Sequence, residues 1–247
     1  MTDRLASFPV PFAVAVIGAS GGLGAALTRR LAADEGVARV YAWSRTPGVS
    51  AGKIVHATLD LADEDTIRAA ADSIAGDIPL RLVIVASGVL QDDVAKPEKR
   101  LADLDGARLA YAFAVNATGP ALVAKHVAPL LARDGKAVFA ALSARVGSIA
   151  DNRLGGWHGY RASKAALNML LRTIAIEQAA RRPAHIVLAL HPGTVDTRLS
   201  KPFQRGLDPA QIVTPDIAAA NLLRVIDGAT PSDSGALLAW DGAPIPF

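Results

Sequence analysis

The sequence predicts a doubly wound α/β fold, with about seven parallel strands in one sheet and helices on both faces. Three observations predict it. Short apolar runs alternate with longer helical patterns along all 247 residues. The runs are nearly continuous in apolar residues, as strands buried on both faces are. The first run passes straight into a glycine-rich turn that opens a helix. Such alternation implies parallel strands joined by right-handed crossovers. No Pro/Gly/Ser linker or internal repeat divides the chain, so residues 1–247 read as one domain.

The spacing predicts strands over 12–17, 37–43, 53–58, 80–86, 137–142, 185–191 and 236–240. It predicts helices over 23–33, 63–75, 107–132, 159–181 and 215–226. The last is well punctuated: Thr214 can cap it, Pro215 suits its first turn and Gly228 suits its stop. Composition supports a packed core, since 51% of residues are hydrophobic and the net charge is only +3. Acids and bases are mixed, with no basic face for nucleic acid. The absence of cysteine excludes disulfides, thiolate catalysis and Cys-based metal sites. The five histidines, at 56, 126, 158, 185 and 191, show no metal-ligand spacing. The N-terminus lacks a signal peptide's basic and apolar regions, and no apolar run is long enough to span a membrane. A cytoplasmic protein is the expectation.

In doubly wound sheets ligands bind beyond the carboxyl ends of the strands. The first strand ends in Gly18-Ala19-Ser20-Gly21-Gly22-Leu23-Gly24. Glycines let a phosphate approach the backbone at a helix N-terminus, where free N–H groups and the helix dipole favour an anion. No Gly-Lys-Ser/Thr follows, which excludes an ATP-type P-loop. The second strand ends in Ser44-Arg45, without the acid that would hold a ribose 2′-hydroxyl. Arg45 offers a fork and a fixed charge to a 2′-phosphate, so NADP(H) is expected over NAD(H). After the third strand, Asp60 and Leu61 stand where an acid can accept from an adenine amino group; Asp60 or Asp63 equally suits a helix cap. Tyr160 and Lys164 are four residues apart at the start of a helix and share one face.

These motifs, with Asn116 and Pro192-Gly193 in the same order, resemble the short-chain dehydrogenase/reductase family over nearly the whole chain. The stretch from Gly147 to Asn168, with SIADNRLGGWHGYRASKAALN, is similar to its C-factor/sniffer-like carbonyl reductase branch. The resemblance implies a Rossmann domain with the first and fourth strands adjacent, and a homodimer or homotetramer formed through the two long helices. It implies hydride transfer between NADP(H) and a small carbonyl or secondary alcohol. Tyr160 would be the general acid/base, and Lys164 would lower its pKa and hold the nicotinamide ribose. Asn116 would kink its helix and hold a relay water. Ser87 and Gly88 would border the adenosine ribose. Pro192, Gly193, Val195 and Thr197 would face the nicotinamide.

The chain departs from the family at the catalytic serine, which usually stands thirteen residues before the tyrosine; that position is Gly147 here. Counting back from Gly147 by the family spacing lands on Ala144. Ser143 is the neighbouring hydroxyl and the expected polariser of the substrate carbonyl, with Ser148 as runner-up. Residues 150–156 form a longer lip before the tyrosine. Residues 89–106 and 198–209 read as substrate-flanking loops, the second as a lid. They carry no convergent charge, so a neutral substrate is expected. The alternative is a dinucleotide-binding regulator without chemistry on the same fold, a reading favoured by the shifted serine.

Overall fold

The computed structural model describes residues 5–94 and 96–247. Residues 1–4, the start of the N-terminal stretch that lacks a signal peptide's pattern, and Ala95, in one of the expected loops, lie outside the described residues. Seven parallel strands form one sheet in the order β3-β2-β1-β4-β5-β6-β9. They are β1 (Phe12–Ile17), β2 (Val37–Ser44), β3 (Ile54–Thr58), β4 (Leu80–Val85), β5 (Ala137–Leu142), β6 (His185–His191) and β9 (Leu237–Ala239). β1 and β4 are buried along their whole length, which explains why both read as unbroken apolar runs. They pair with each other, and the strand order reverses between them. A crevice therefore opens above their carboxyl ends.

Residues of alternating parity on the strands fill two cores. On one face, Val14, Val16 and Leu188 pack with α1 (Gly22–Ala33) and α6 (Pro215–Gly228). On the other, Ile17, Phe139 and Val187 pack with α2 (Glu64–Asp72), α4 (Gly119–Val127) and α5 (His158–Arg181). Thr214 caps α6, accepting from the Ile217 N–H at 3.3 Å. Asp63 caps α2 and accepts from the Asp65 N–H at 3.0 Å. Gly228 is the last residue of α6 and does not enter the left-handed region expected of a glycine stop.

The helix predicted over 107–132 is interrupted. It runs as α3 (Gly106–Phe113), a π-turn (Ala114–Thr118), α4 and a final 3₁₀ turn (Ala128–Leu130). Pro120 explains the break. It has no N–H to give the Asn116 carbonyl four residues back, and the Gly119 N–H bonds the Ala114 carbonyl five residues back instead. Two short strands escaped the periodicity: β7 (Thr194–Val195) pairs in parallel with β8 (Ile212–Val213). This ladder closes the base of the excursion over 196–211. Among the described residues, no helix is long and apolar enough to cross a membrane.

Candidate active site

The glycine loop is shaped by what a side chain would strike. Gly18 has φ +86°, and a Cβ there would meet Ser87 Cβ at 2.9 Å. A Cβ on Gly24 would lie 2.1 Å from the Gly18 carbonyl oxygen. These glycines let the chain turn on itself directly above β1 and beside β4. The helix that follows, α1, has Gly21 as its N-cap, which offers no side chain to the first-turn N–H groups. Ser20, Gly21 and Gly22 are exposed, whereas Leu23 is buried beneath them. An uncapped helix start behind a glycine-rich loop fits a phosphate-bearing cofactor.

Two further strand ends reach the same loop. Gly22 faces Thr197, whose Cγ2 lies 3.1 Å from the position of a Gly22 Cβ. Val195 is buried in β7, and Pro192 and Gly193 form the turn from β6, with Gly193 at φ +77° against the Trp240 ring. A Cβ on Gly88, three residues past β4, would meet Asn116 Oδ1 at 3.1 Å and Lys164 Nζ at 3.3 Å. The loops after β1, β4 and β6 thus converge with Asn116 and Lys164.

At the outer end, Ser44 is buried and donates to the Thr46 carbonyl at 2.8 Å. Arg45 is exposed. Near it, burial and a hydrogen bond to Asp92 raise the Tyr111 phenol, while the Arg45 guanidinium opposes that shift. Asp60 accepts from the Ala62 N–H at 3.0 Å in a local turn, leaving the α2 cap to Asp63. Leu61 is buried, and Gly119 lets the middle helix approach its carbonyl oxygen.

Tyr160 and Lys164 lie on the first two turns of α5. Lys164 is only 3% exposed; its Nζ donates to the Leu142 carbonyl at 2.7 Å and sits 5.8 Å from the centre of the Tyr160 ring. Burial pushes the Tyr160 phenol up to about 12 and the Lys164 ammonium down to about 8. In the protein alone the phenol therefore moves against the expected lowering, because desolvation penalises its anion. At neutral pH it is a proton donor beside a cation. Burial likewise pushes His191, at the end of β6, down to about 4 and holds it neutral.

Asn116 is fully buried in the π-turn. Its Oδ1 accepts from the Val89 N–H at 2.8 Å, while its Nδ2 donates to the Val89 carbonyl at 2.8 Å and to Ser163 Oγ at 3.1 Å. It ties the loop after β4 to α5. Ser143 is buried too, and its hydroxyl donates to Asn168 Oδ1 at 2.6 Å. Ser148 is buried and accepts from the Asp151 N–H at 3.1 Å within the lip. Asn168 was missed in the sequence, although it continues the four-residue spacing of Tyr160 and Lys164 along one helix face. Trp157 was missed as well. It stands edge-on to Tyr160, with ring centroids 6.4 Å apart, and to Phe203 of the 196–211 excursion at 4.9 Å.

A family model described as short chain dehydrogenase matches residues 13–208. C-signal of Myxococcus xanthus is 36% identical over 147 residues, covering 60% of this chain and 83% of that protein. The 1-hydroxy-2-glutathionyl-2-methyl-3-butene dehydrogenase of Rhodococcus sp. (strain AD45) is 31% identical over 231 residues, covering 93% of this chain and 96% of its own. Among solved structures, NADPH-bound carbonyl reductase from chicken fatty liver superimposes with a TM-score of 0.84 at 26% identity, over 97% of this chain and 100% of that one.

Proposed function

The chain belongs to the short chain dehydrogenase family, and on that premise we propose that it is an NADP(H)-dependent oxidoreductase acting on a small neutral carbonyl or the matching secondary alcohol. The observation that carries this reading is the pair of half-buried Tyr160 and buried Lys164 beside Gly88, where the loops after β1, β4 and β6 meet. When bound, the cofactor would supply the hydride. Gly18, Ser20, Gly21, Gly22, Leu23 and Gly24 would hold its pyrophosphate at the start of α1. Ser44 and Arg45 would take the 2′-phosphate, Asp60 and Leu61 the adenine, and Ser87 and Gly88 the adenosine ribose. Pro192, Gly193, Val195 and Thr197 would border the nicotinamide. The absence of an acid at the end of β2, and the NADPH carried by the chicken liver relative, favour NADP(H) over NAD(H).

Tyr160 gives its phenolic proton to the carbonyl oxygen in reduction and takes one from the alcohol in oxidation. A phenol pushed up to about 12 by burial is already protonated for the first role. The second role needs nearby positive charge, which Lys164 supplies. Asn116 keeps Gly88 and α5 in register around that pair. Ser143 polarises the carbonyl only if its hydroxyl leaves Asn168. On α5, Met169 and Ile176 are exposed seven residues apart on one face, which supports a homodimer or homotetramer built on that helix.

A second reading is favoured by the shifted serine, Gly147 and Ala144 standing where the two counts place it, and by the commitment of Ser143 to Asn168. It is a cofactor-binding regulator without turnover. Side-by-side fluorescence titrations with NADPH and NADH, followed by a carbonyl panel and the Tyr160→Phe variant, separate the two. The enzyme reading expects tighter NADPH binding, turnover, and loss of turnover in Tyr160→Phe with NADPH binding kept. Binding without turnover on any carbonyl favours the regulator. Equal or tighter NADH binding removes the Arg45 role.

A further inference from the structure

α5 presents Tyr160 in its first turn, yet its own sequence does little to hold that turn. Its N-cap residue, Trp157, offers no side-chain cap, and the first turn contains no acid. Trp157 is left-handed at φ 51°, the only non-glycine residue described with a positive φ. It follows Gly155 at φ 62° and Gly156 at φ 65°. A left-handed tryptophan costs on the order of 1 to 3 kcal/mol unless its surroundings fix it. Arg161 adds a cation close to the positive end of the helix dipole and is occupied by the carbonyls of Gly155, Gly156 and Val146.

The missing anion comes from another loop. Glu98 is only 6% exposed, although it is a carboxylate in the segment between β4 and α3. Its Oε2 accepts from the Gly159 N–H at 3.0 Å, and its backbone carbonyl accepts from the Trp157 N–H at 2.5 Å. One residue thus clamps both sides of the start of α5. The fit is close: a Cβ on Gly159 would lie 2.9 Å from Glu98 Oε1 and 3.2 Å from Leu109 Cδ2. Gly159 directly precedes Tyr160, and Glu98 and Tyr160 line the same small cavity.

We infer that Glu98 is a positioning residue for the proposed general acid: it caps α5 from outside and fixes the Tyr160 phenol relative to the substrate carbonyl. The inference rests on the proposed role of Tyr160. It is separate from cofactor binding, because Glu98 is not among the residues to which that binding is assigned and its described hydrogen bonds go to the start of α5. Its active feature is an acceptor at the Gly159 N–H, so an amide oxygen in the same place serves.

The test uses the full-length protein with NADPH and whichever carbonyl it reduces. Glu98→Ala is expected to lower kcat about 10- to 100-fold through misplacement of the acid, with the NADPH Kd unchanged. Glu98→Gln, which keeps the acceptor, is expected to recover kcat to within about threefold. In a Tyr160→Phe background, Glu98→Ala is expected to cost nothing further. Hydrogen exchange of the Gly159 amide supplies a readout free of turnover: protection is lost in Glu98→Ala and kept in Glu98→Gln. Wild-type kcat in Glu98→Ala, an equal loss in Glu98→Gln, or an undiminished cost in the Tyr160→Phe background each overturns the inference. So does unchanged Gly159 exchange. If Tyr160→Phe alone leaves turnover intact, the role of Tyr160 fails, and the exchange data still decide whether Glu98 is the cap. Should Glu98→Ala not fold, Gly159→Ala takes its place. Its methyl must displace the carboxylate, and wild-type kcat in that variant refutes the inference.

Discussion

Asn116, Ser143 and Lys164 at the carboxyl edge are buried and bonded, and that sets their chemistry. Lys164 is a buried ammonium that donates to one backbone carbonyl, and burial takes it from 10.5 down to about 8. The sign of its effect on stability follows. Between about pH 8 and 10 the folded state has released this proton and the unfolded chain has not, so the unfolded state binds more protons. Stability contributed by Lys164 therefore rises with pH across that window. Chemical denaturation of the cofactor-free protein at pH 7, 8, 9 and 10 checks it. Wild type should gain on Lys164→Met by at most about 1.4 kcal/mol per pH unit, and a flat difference would mean that the ammonium is hydrated. Tyr160 and Lys164 were readable because helical spacing alone puts them on one face. Asn168 obeys the same spacing but looks like an ordinary helix amide until its Ser143 partner is seen. Glu98 was not readable at all. Its partner is a backbone N–H 61 residues away, and no local pattern encodes such a bond.

Elements were legible wherever burial wrote the pattern. β1, β5 and β6 begin and end where their apolar runs do, since both sheet faces are covered. The middle helix misled because its small apolar residues suit any helical winding, and only Pro120 hints at the π-turn that lets Asn116 reach Val89. β7 and β8 are two residues each, too short for any periodicity. The glycine loop shows how an element can depend on single hydrogen atoms. Gly24→Ala would place a methyl 2.1 Å from the Gly18 carbonyl oxygen, a backbone atom, whereas Gly21→Ala meets the same oxygen at an easier 3.3 Å. Gly24→Ala is expected to cost about 1 to 3 kcal/mol of stability or more and to weaken NADPH binding. Gly21→Ala is expected to cost much less stability. Thermal unfolding and calorimetric titration of both variants give the order, and equal effects would mean that the loop is not close-packed.

At the scale of the molecule, strand order decides what can meet. Reversal between β1 and β4 opens the crevice, and the loops after β4 and β6 bring residues more than 100 positions apart to the glycine loop. That convergence was predictable in outline from the order of motifs, because right-handed crossovers leave few alternatives. The way the crevice is covered was not. The excursion over 196–211 is pinned at its base by the β7–β8 ladder and by Ser200, whose hydroxyl donates to the Val195 carbonyl. Its outer part reaches the lip through Phe203, whose ring meets Trp157 edge-on at 4.9 Å, while Trp157 in turn meets Tyr160. Two crossovers, one bearing Trp157 and Tyr160 and the other bearing Phe203, thus close an aromatic wall at the proposed acid. Such a pair contributes about 0.5 to 1.5 kcal/mol beyond area burial. If this wall orders over bound substrate, Phe203→Ala should raise the KM for the carbonyl about 2- to 10-fold. The NADPH Kd should stay where it is, because Phe203 lies outside the glycine loop. Trp157 emission should shift to the red as its ring becomes solvated, read as a difference from wild type against the constant background of fully buried Trp43 and exposed Trp240. An unchanged KM together with a red-shifted spectrum would show that the aromatic contact holds the excursion without touching substrate.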